Sequence, residues 1–313
     1  MSDSTARPEA EADAEADTAA DTEADTADTA AAVAPRRGPI YREILYIAAV
    51  YLVYSTVRNH FGSAGGTPGH ANGIAYGHAL DVIDLERNLR LFFEQSLQSW
   101  YLALPAHGLI QVWNVFYGTA HFVITAGALI WLFFRDPARY PRWRNTLAFT
   151  TLLALVGFAV FSLMPPRLLD KPPEQFGPPA SASNEHFGFV DTLEVYPTFW
   201  SFDSGGLKKL SNQYAAMPSL HTAWATWSML VLFPLVRRRW LRVLIVLDPI
   251  ATLFCIIVTA NHYWVDAAFG VVTLALGYLI ASRVTNWWEA RHARDGRDTR
   301  SERRAARPRR AIA

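Results

Sequence analysis

The stretch Asn261-His262-Tyr263-Trp264-Val265-Asp266 decides how this chain is read. It lies between two apolar runs and sets an imidazole four residues before a carboxylate. On a helix such a pair shares one face, a turn apart. Ionisable side chains at the edge of a hydrophobic span are costly to keep there, so they point to function. Taken alone, His262 and Asp266 are read equally well as a hydrogen bond that ties helix ends together. The flanking runs settle the architecture. They are long blocks in a 313-residue chain that is 51% hydrophobic, more than a soluble protein of this size usually carries.

Outward from this stretch, the apolar blocks predict an all-α, polytopic membrane protein with six transmembrane helices, each near the ~20 residues that cross the hydrocarbon core. The first covers Ile40 to Val57, after Pro35-Arg36-Arg37. The second is Leu109 to Phe134, and the third runs from Asn145 to Leu163, ending at Met164-Pro165-Pro166-Arg167. The fourth extends from Pro218 to Val236, the fifth follows Arg237 to Arg242 and ends at Ala260, and the sixth starts near His262 and reaches about Val284. After a Gly-rich break, Gly62 to Gly73, the segment Ala79 to Leu104 alternates apolar and charged residues at helical spacing. It carries too many charges to span and is expected to form an outer amphipathic helix, in the interface or capping the bundle. Leu168 to Gln213, rich in Pro, Gly and Ser, is expected to be a long loop, a length that is uncommon unless the loop lids or binds something.

The formal net charge of +1 conceals a segregation of charge. Residues 1–37 form an acidic tail of Ala, Asp, Glu and Thr with too little apolar surface to order it, so disorder is expected there. The tail lacks the basic and apolar regions of a secretory signal. Residues 38–286 form the membrane domain and 287–313 a basic tail, also expected to be disordered. Cys255, the only cysteine, excludes a disulfide within the chain and a cysteine-based metal site. Arg36-Arg37, the Arg135 to Arg144 turn, the Arg237 to Arg242 turn and the C-terminal tail all fall on one side of a six-helix count. The positive-inside rule makes that side cytoplasmic, with both termini on it. The 168 to 213 loop and both His-containing motifs then face outward from a cell membrane.

A single hairpin through the membrane separates His221 from His262, which places the two at one depth. Pro218-Ser219 is a helix start, with Ser219 as its cap, and the free N–H groups and dipole of a helix start make an anion site. Arg167 can offer a fixed positive fork to phosphate oxygens, or snorkel to lipid head groups. Together these residues make a phosphoryl-transfer set. His262, oriented by Asp266, is the nucleophile; His221 protonates the departing oxygen; Arg167 and the N–H groups around Ser219 meet the developing charge. Asn114, Tyr117 and His121 recur at helical intervals on one face of the second span, and are read either as substrate contacts or as an interhelical hydrogen-bond network.

Tyr214-Ala215-Ala216-Met217-Pro218-Ser219-Leu220-His221, followed by Asn261 to Asp266, resembles the second and third signature motifs of the type-2 phosphatidic acid phosphatase superfamily. More closely, it is similar to the inositol phosphorylceramide synthase-like branch. The resemblance covers roughly Tyr41 to Val284. It implies a six-helix membrane enzyme working through a phosphohistidine, with the same roles for His262, Asp266 and His221. Three departures from the broad superfamily also resemble that branch: Val160 where a Lys stands seven residues before Arg167, Cys255-Ile256 where Ser-Arg precede the third motif's His, and Leu220 in place of Gly. They imply head-group transfer, and they leave the phosphate cradle short of cations, which brings in Lys171, Lys208 and Lys209 of the loop.

The expected substrate is a phospholipid or polyprenyl phosphate in the outer leaflet. Water as acceptor makes a phosphatase and a lipid or sugar hydroxyl a transferase, a choice the sequence leaves open. No cofactor, metal or nucleic-acid partner is expected. A zinc hydrolase is the first rival, though no His-Glu-x-x-His pattern supports it; a lipid transporter is the second, though it calls for Gly-interrupted helices in repeated halves.

Overall fold

The computed structural model describes residues 39–60, 68–105, 108–182, 185–198 and 212–305. The acidic tail 1–37, Lys208 and Lys209 lie outside the described residues, as do the last eight positions of the basic tail. Among the described residues the secondary structure is helical, with one isolated parallel bridge between Leu163 and Ala215. In chain order the helices are α1 (Ile40–His60), α2 (Pro68–Asn88), α3 (Glu94–Leu102), α4 (Gly108–Arg135), α5 (Tyr140–Val160), α6 (Thr192–Val195), α7 (Leu220–Leu232), α8 (Arg239–Val258) and α9 (Trp264–Ala305). Two short 3-10 turns, Pro166–Leu168 and Pro173–Gln175, follow α5.

Four of these helices contain stretches long and apolar enough to cross a membrane: Leu109–Arg135, Tyr140–Val160, Arg239–Val258 and Trp264–His292. Their surfaces are inverted relative to a water-soluble fold. Val160 is 77% exposed and Val123 69%, while Thr146 and Thr150 of α5 and Thr125 of α4 are buried. Several polar groups turned inward find partners across the bundle, as lipid would offer them none. Thr125 Oγ1 meets Ser228 Oγ at 3.3 Å, Trp224 Nε1 donates to Thr151 Oγ1 at 3.2 Å, and Trp227 Nε1 donates to the Trp143 carbonyl at 3.0 Å. At the basic end of the bundle Arg142 donates to Asn286 at 2.9 Å, and Arg144 pairs with Glu43 of α1 at 2.6 Å.

Several elements differ from the sequence reading. The expected amphipathic helix Ala79 to Leu104 is two helices: Arg90 takes a left-handed φ of 57°, and the turn that follows redirects the chain before α3 begins at Glu94. Helix α2 starts at Pro68, inside the predicted Gly-rich break, because proline suits a first helical position. The third span begins at Tyr140, five residues earlier than expected, again with proline near its start. Where a fourth span was expected, α7 has 13 residues, about 20 Å of helix against a ~30 Å hydrocarbon core. The 168 to 213 loop carries the 3-10 turns and α6, and α9 continues past Trp288 to Ala305.

Two glycines set how closely α9 approaches its neighbours. A Cβ on Gly277 would lie 2.4 Å from Thr150 Oγ1 of α5, and a Cβ on Gly270 would lie 2.4 Å from the Ser219 carbonyl oxygen. Gly270→Ala therefore forces the backbone before α7 to move. It is expected to destabilise the protein by about 1–3 kcal/mol and to lower activity in parallel. Gly127→Ala, with nothing within 4 Å of its Cβ, is the matched substitution and should be neutral or stabilising. Thermal unfolding of the two variants in detergent checks the pair.

Candidate active site

The loop between α8 and α9 is built to deliver His262 to a helix start. Ala260 takes a left-handed φ of 52°, a conformation that costs a non-glycine residue about 1–2 kcal/mol. The reversal lets the N–H groups of Asn261 and His262 both return to the Ile256 carbonyl, at 3.0 and 3.2 Å. The Asn261 amide donates to the Thr259 carbonyl and hydroxyl at 3.2 and 2.9 Å, and the Arg167 N–H donates to the Ala260 carbonyl at 2.8 Å. Helix α9 then begins in a capping-box pattern, its third residue bonding back to the residue before the helix. Asp266 Oδ2 accepts the Tyr263 N–H at 3.0 Å and meets His262 Nδ1 at 3.2 Å. His262 is 4% exposed and Asp266 fully buried. With Nδ1 donating to the carboxylate, Nε2 keeps its lone pair.

Ser219, fully buried, is the N-cap of α7; its hydroxyl accepts from the Thr222 N–H at 3.5 Å and contacts the Thr222 hydroxyl at 3.4 Å. Its own N–H donates to the Asp266 carbonyl at 2.9 Å. That main-chain bond fixes the start of α7, which bears His221, to the first turn of α9, which follows His262. The His221 and His262 rings lie 5.4 Å apart at 64°. Tyr117 stacks on His221 at 4.4 Å and 18°, and the His121 ring lies 4.2 Å from it. Asn114, on the same helix, is placed elsewhere: its amide donates to the carbonyls of Thr192 and Tyr196, at 2.8 and 3.1 Å, and accepts the Thr192 hydroxyl at 2.8 Å. It holds α6 against α4.

Arg167 is brought beside this centre through its backbone, while its guanidinium is held by other groups. Nη2 donates to Gln213 Oε1 at 2.6 Å, and Nη1 lies 3.3 Å from Asp191 Oδ2. Lys171 pairs with Glu194 and stands 3.6 Å from the same Asp191 oxygen. Asp191 owes its position to a pinned backbone. Asp170 accepts the N–H groups of Phe187, Gly188 and Phe189 at 2.8–3.1 Å, and Gln98 bonds Val190 through both its amide atoms.

Asp191, Gln213, Glu86, Glu94 and Gly270 escaped the sequence reading. The first two lie in a loop without periodicity, where only tertiary contacts choose partners. The glutamates read as polar positions of an amphipathic helix, yet both are fully buried against α9. Their eight-residue spacing to either side of the Arg90 turn was the one available signal. Among the described residues, no three His, Cys, Asp or Glu side chains group as a metal site would need.

The family model described as the PAP2 superfamily matches residues 80–280, which contain every site residue named above. No curated protein and no solved structure matches the chain.

Proposed function

Because the chain belongs to the PAP2 superfamily, whose members are phosphatases or phosphotransferases, we propose that it transfers a phosphoryl group from a lipid through a phosphohistidine on His262. The observation that carries this reading is the buried His262–Asp266 pair with the His221 ring 5.4 Å away. His262 Nε2 attacks phosphorus; the P–N bond forms as the bond to the leaving oxygen breaks, and His221 gives that oxygen its proton. An acceptor hydroxyl then attacks, its proton passes to His221, and the P–N bond breaks. Arg167 meets charge on the equatorial oxygens, exchanging Asp191 or Gln213 for the phosphate.

We place the enzyme with the inositol phosphorylceramide synthase-like transferases, on Val160, Leu220 and Cys255-Ile256 at the three departures noted above. The burial of His262 supports the same choice, since a site closed to water favours a bound hydroxyl as acceptor. Hydrolysis of a lipid phosphate or polyprenyl pyrophosphate uses the same intermediate. Incubating the purified protein with labelled phospholipids and polyprenyl phosphates, with and without an alcohol acceptor, tests the choice: a labelled adduct indicates transfer, and water-soluble phosphate alone indicates a phosphatase.

In this reading α1 and α7 complete six crossings, with α2 and α3 against the outer end. The first turn of α5 packs on the far part of α9 through the Arg142–Asn286 bond, and His262 stands before the opposite end of α9. Cytoplasmic termini and an outer-leaflet lipid substrate follow from the positive-inside rule. Replacing Arg167 by alanine is expected to lower kcat about 10²-fold with the fold retained, read by steady-state kinetics beside a thermal scan.

A further inference from the structure

Helix α9 is held at its start by two acids from a hairpin that brings no reactive group to the centre. Glu94 Oε1 accepts the Trp264 N–H at 3.1 Å, and Glu86 Oε1 accepts the Val265 N–H at 3.3 Å. These are the first two residues of α9. The second Glu94 oxygen takes the Phe93 N–H at 2.9 Å, so one carboxyl ties the start of α3 to the start of α9. The turn between α2 and α3 adds a third fastening, where the Trp264 indole donates to the Leu91 carbonyl at 3.0 Å while the Leu91 N–H returns to the Glu86 carbonyl at 2.8 Å. Both glutamates are fully buried. A single Ser or Asp would cap a helix; two buried acids from elsewhere in the chain do more, because they fix where the helix starts relative to the rest of the protein.

What they fix is the catalytic pair. Trp264 and Val265 stand between His262 and Asp266, so the orientation of this turn decides whether Asp266 Oδ2 reaches His262 Nδ1. We propose that Glu94 and Glu86 are positioning residues for His262, clamping the first turn of α9 so that the Asp266 carboxylate holds one imidazole tautomer. The inference rests on His262 being the nucleophile.

The two acids differ in what they require. Burial, then the neighbouring Glu94 carboxylate, push Glu86 up to about 10, so it is neutral at pH 7 and glutamine is its isostere. Glu94 accepts two N–H groups on its two oxygens, a task that glutamine fills on one side only.

The test uses the full chain in detergent with ¹⁵N-histidine labelling, His262 being assigned by the signal that His262→Ala removes. Wild type is expected to show His262 as one tautomer, protonated on Nδ1, and Glu86→Gln should match it in spectrum and kcat. Glu94→Leu should show mixed tautomers, with kcat down about 10²-fold and KM nearly unchanged; Glu94→Gln should fall between and serves if the leucine variant does not fold. A wild-type spectrum and kcat in both Glu94 variants, or a Glu86→Gln as defective as Glu86→Leu, overturns the proposal. The tautomer readout needs no turnover, so it stands apart from failure of the phosphohistidine reading, in which wild type itself would transfer no phosphate.

Discussion

Replacing His262 by alanine is expected to lower phosphoryl turnover by at least about 10⁴-fold, because it removes the atom that bonds to phosphorus and not merely a contact. The fold should survive. The His262 ring lies in a pocket whose neighbours are anchored independently, Asp266 by the Tyr263 N–H and Ser219 by the Asp266 carbonyl. Binding of substrate should survive as well, since Arg167 and the start of α7 are untouched. Brief incubation with a ³²P-labelled donor, quenched in alkali where phosphohistidine persists, should label wild type and leave His262→Ala blank. Undiminished turnover in this variant would remove His262 from the chemistry altogether.

His221→Ala carries the second large effect, and its size should depend on the leaving group. With a lipid alkoxide departing, loss of the proton donor is expected to lower the rate of phosphoenzyme formation by about 10²–10⁴-fold. With nitrophenyl phosphate, whose leaving oxygen needs no proton, the same variant should fall within about tenfold of wild type. His262→Ala should be equally inactive on both. Tyr117 stacks on His221 at 4.4 Å, so Tyr117→Phe, which keeps the stacked ring, should leave the leaving-group dependence unaltered. Equal losses on both substrates for His221→Ala would move His221 from proton transfer to binding.

How much of this could be read from residues alone follows from range. His262 and Asp266 are four apart, and the spacing alone brought them together, although His262 precedes α9 and reaches Asp266 through the cap of that helix and not along one helical face. Tyr117 and His121 are likewise four apart, so a helix puts both on one face; that this face meets His221, while Asn114 turns to α6, is decided by the fold. The long apolar blocks placed α4, α5 and α8 to within a few residues, and the start of α9, whose end at Ala305 lies well beyond the expected Val284. Short or interrupted elements were less legible. The Arg90 reversal that splits α2 from α3 has no glycine to mark it, and α7 is flanked by apolar residues that extend the pattern beyond the helix. The partners of Arg167 are 24 and 46 residues away in a segment without repeat, where pairing is decided by the folded backbone. Glu86 and Glu94 were hidden for a different reason. A charged residue on an amphipathic pattern is ordinarily solvated, and only the approach of α9's free N–H groups makes their burial tolerable.

The ion pair between Arg167 and Asp191 has one more effect on the enzyme as proposed. Its guanidinium never meets an incoming phosphate empty-handed: the protein supplies an internal competitor, and each phosphate that enters displaces a carboxylate that returns when it leaves. Affinity for every phosphorylated species on the reaction path is lowered alike, donor and product together, and the resting site is kept from being silted up by free phosphate. Competition between donor and product, which depends on the ratio of their affinities, is left as it was, and the enzyme works at a higher concentration of lipid.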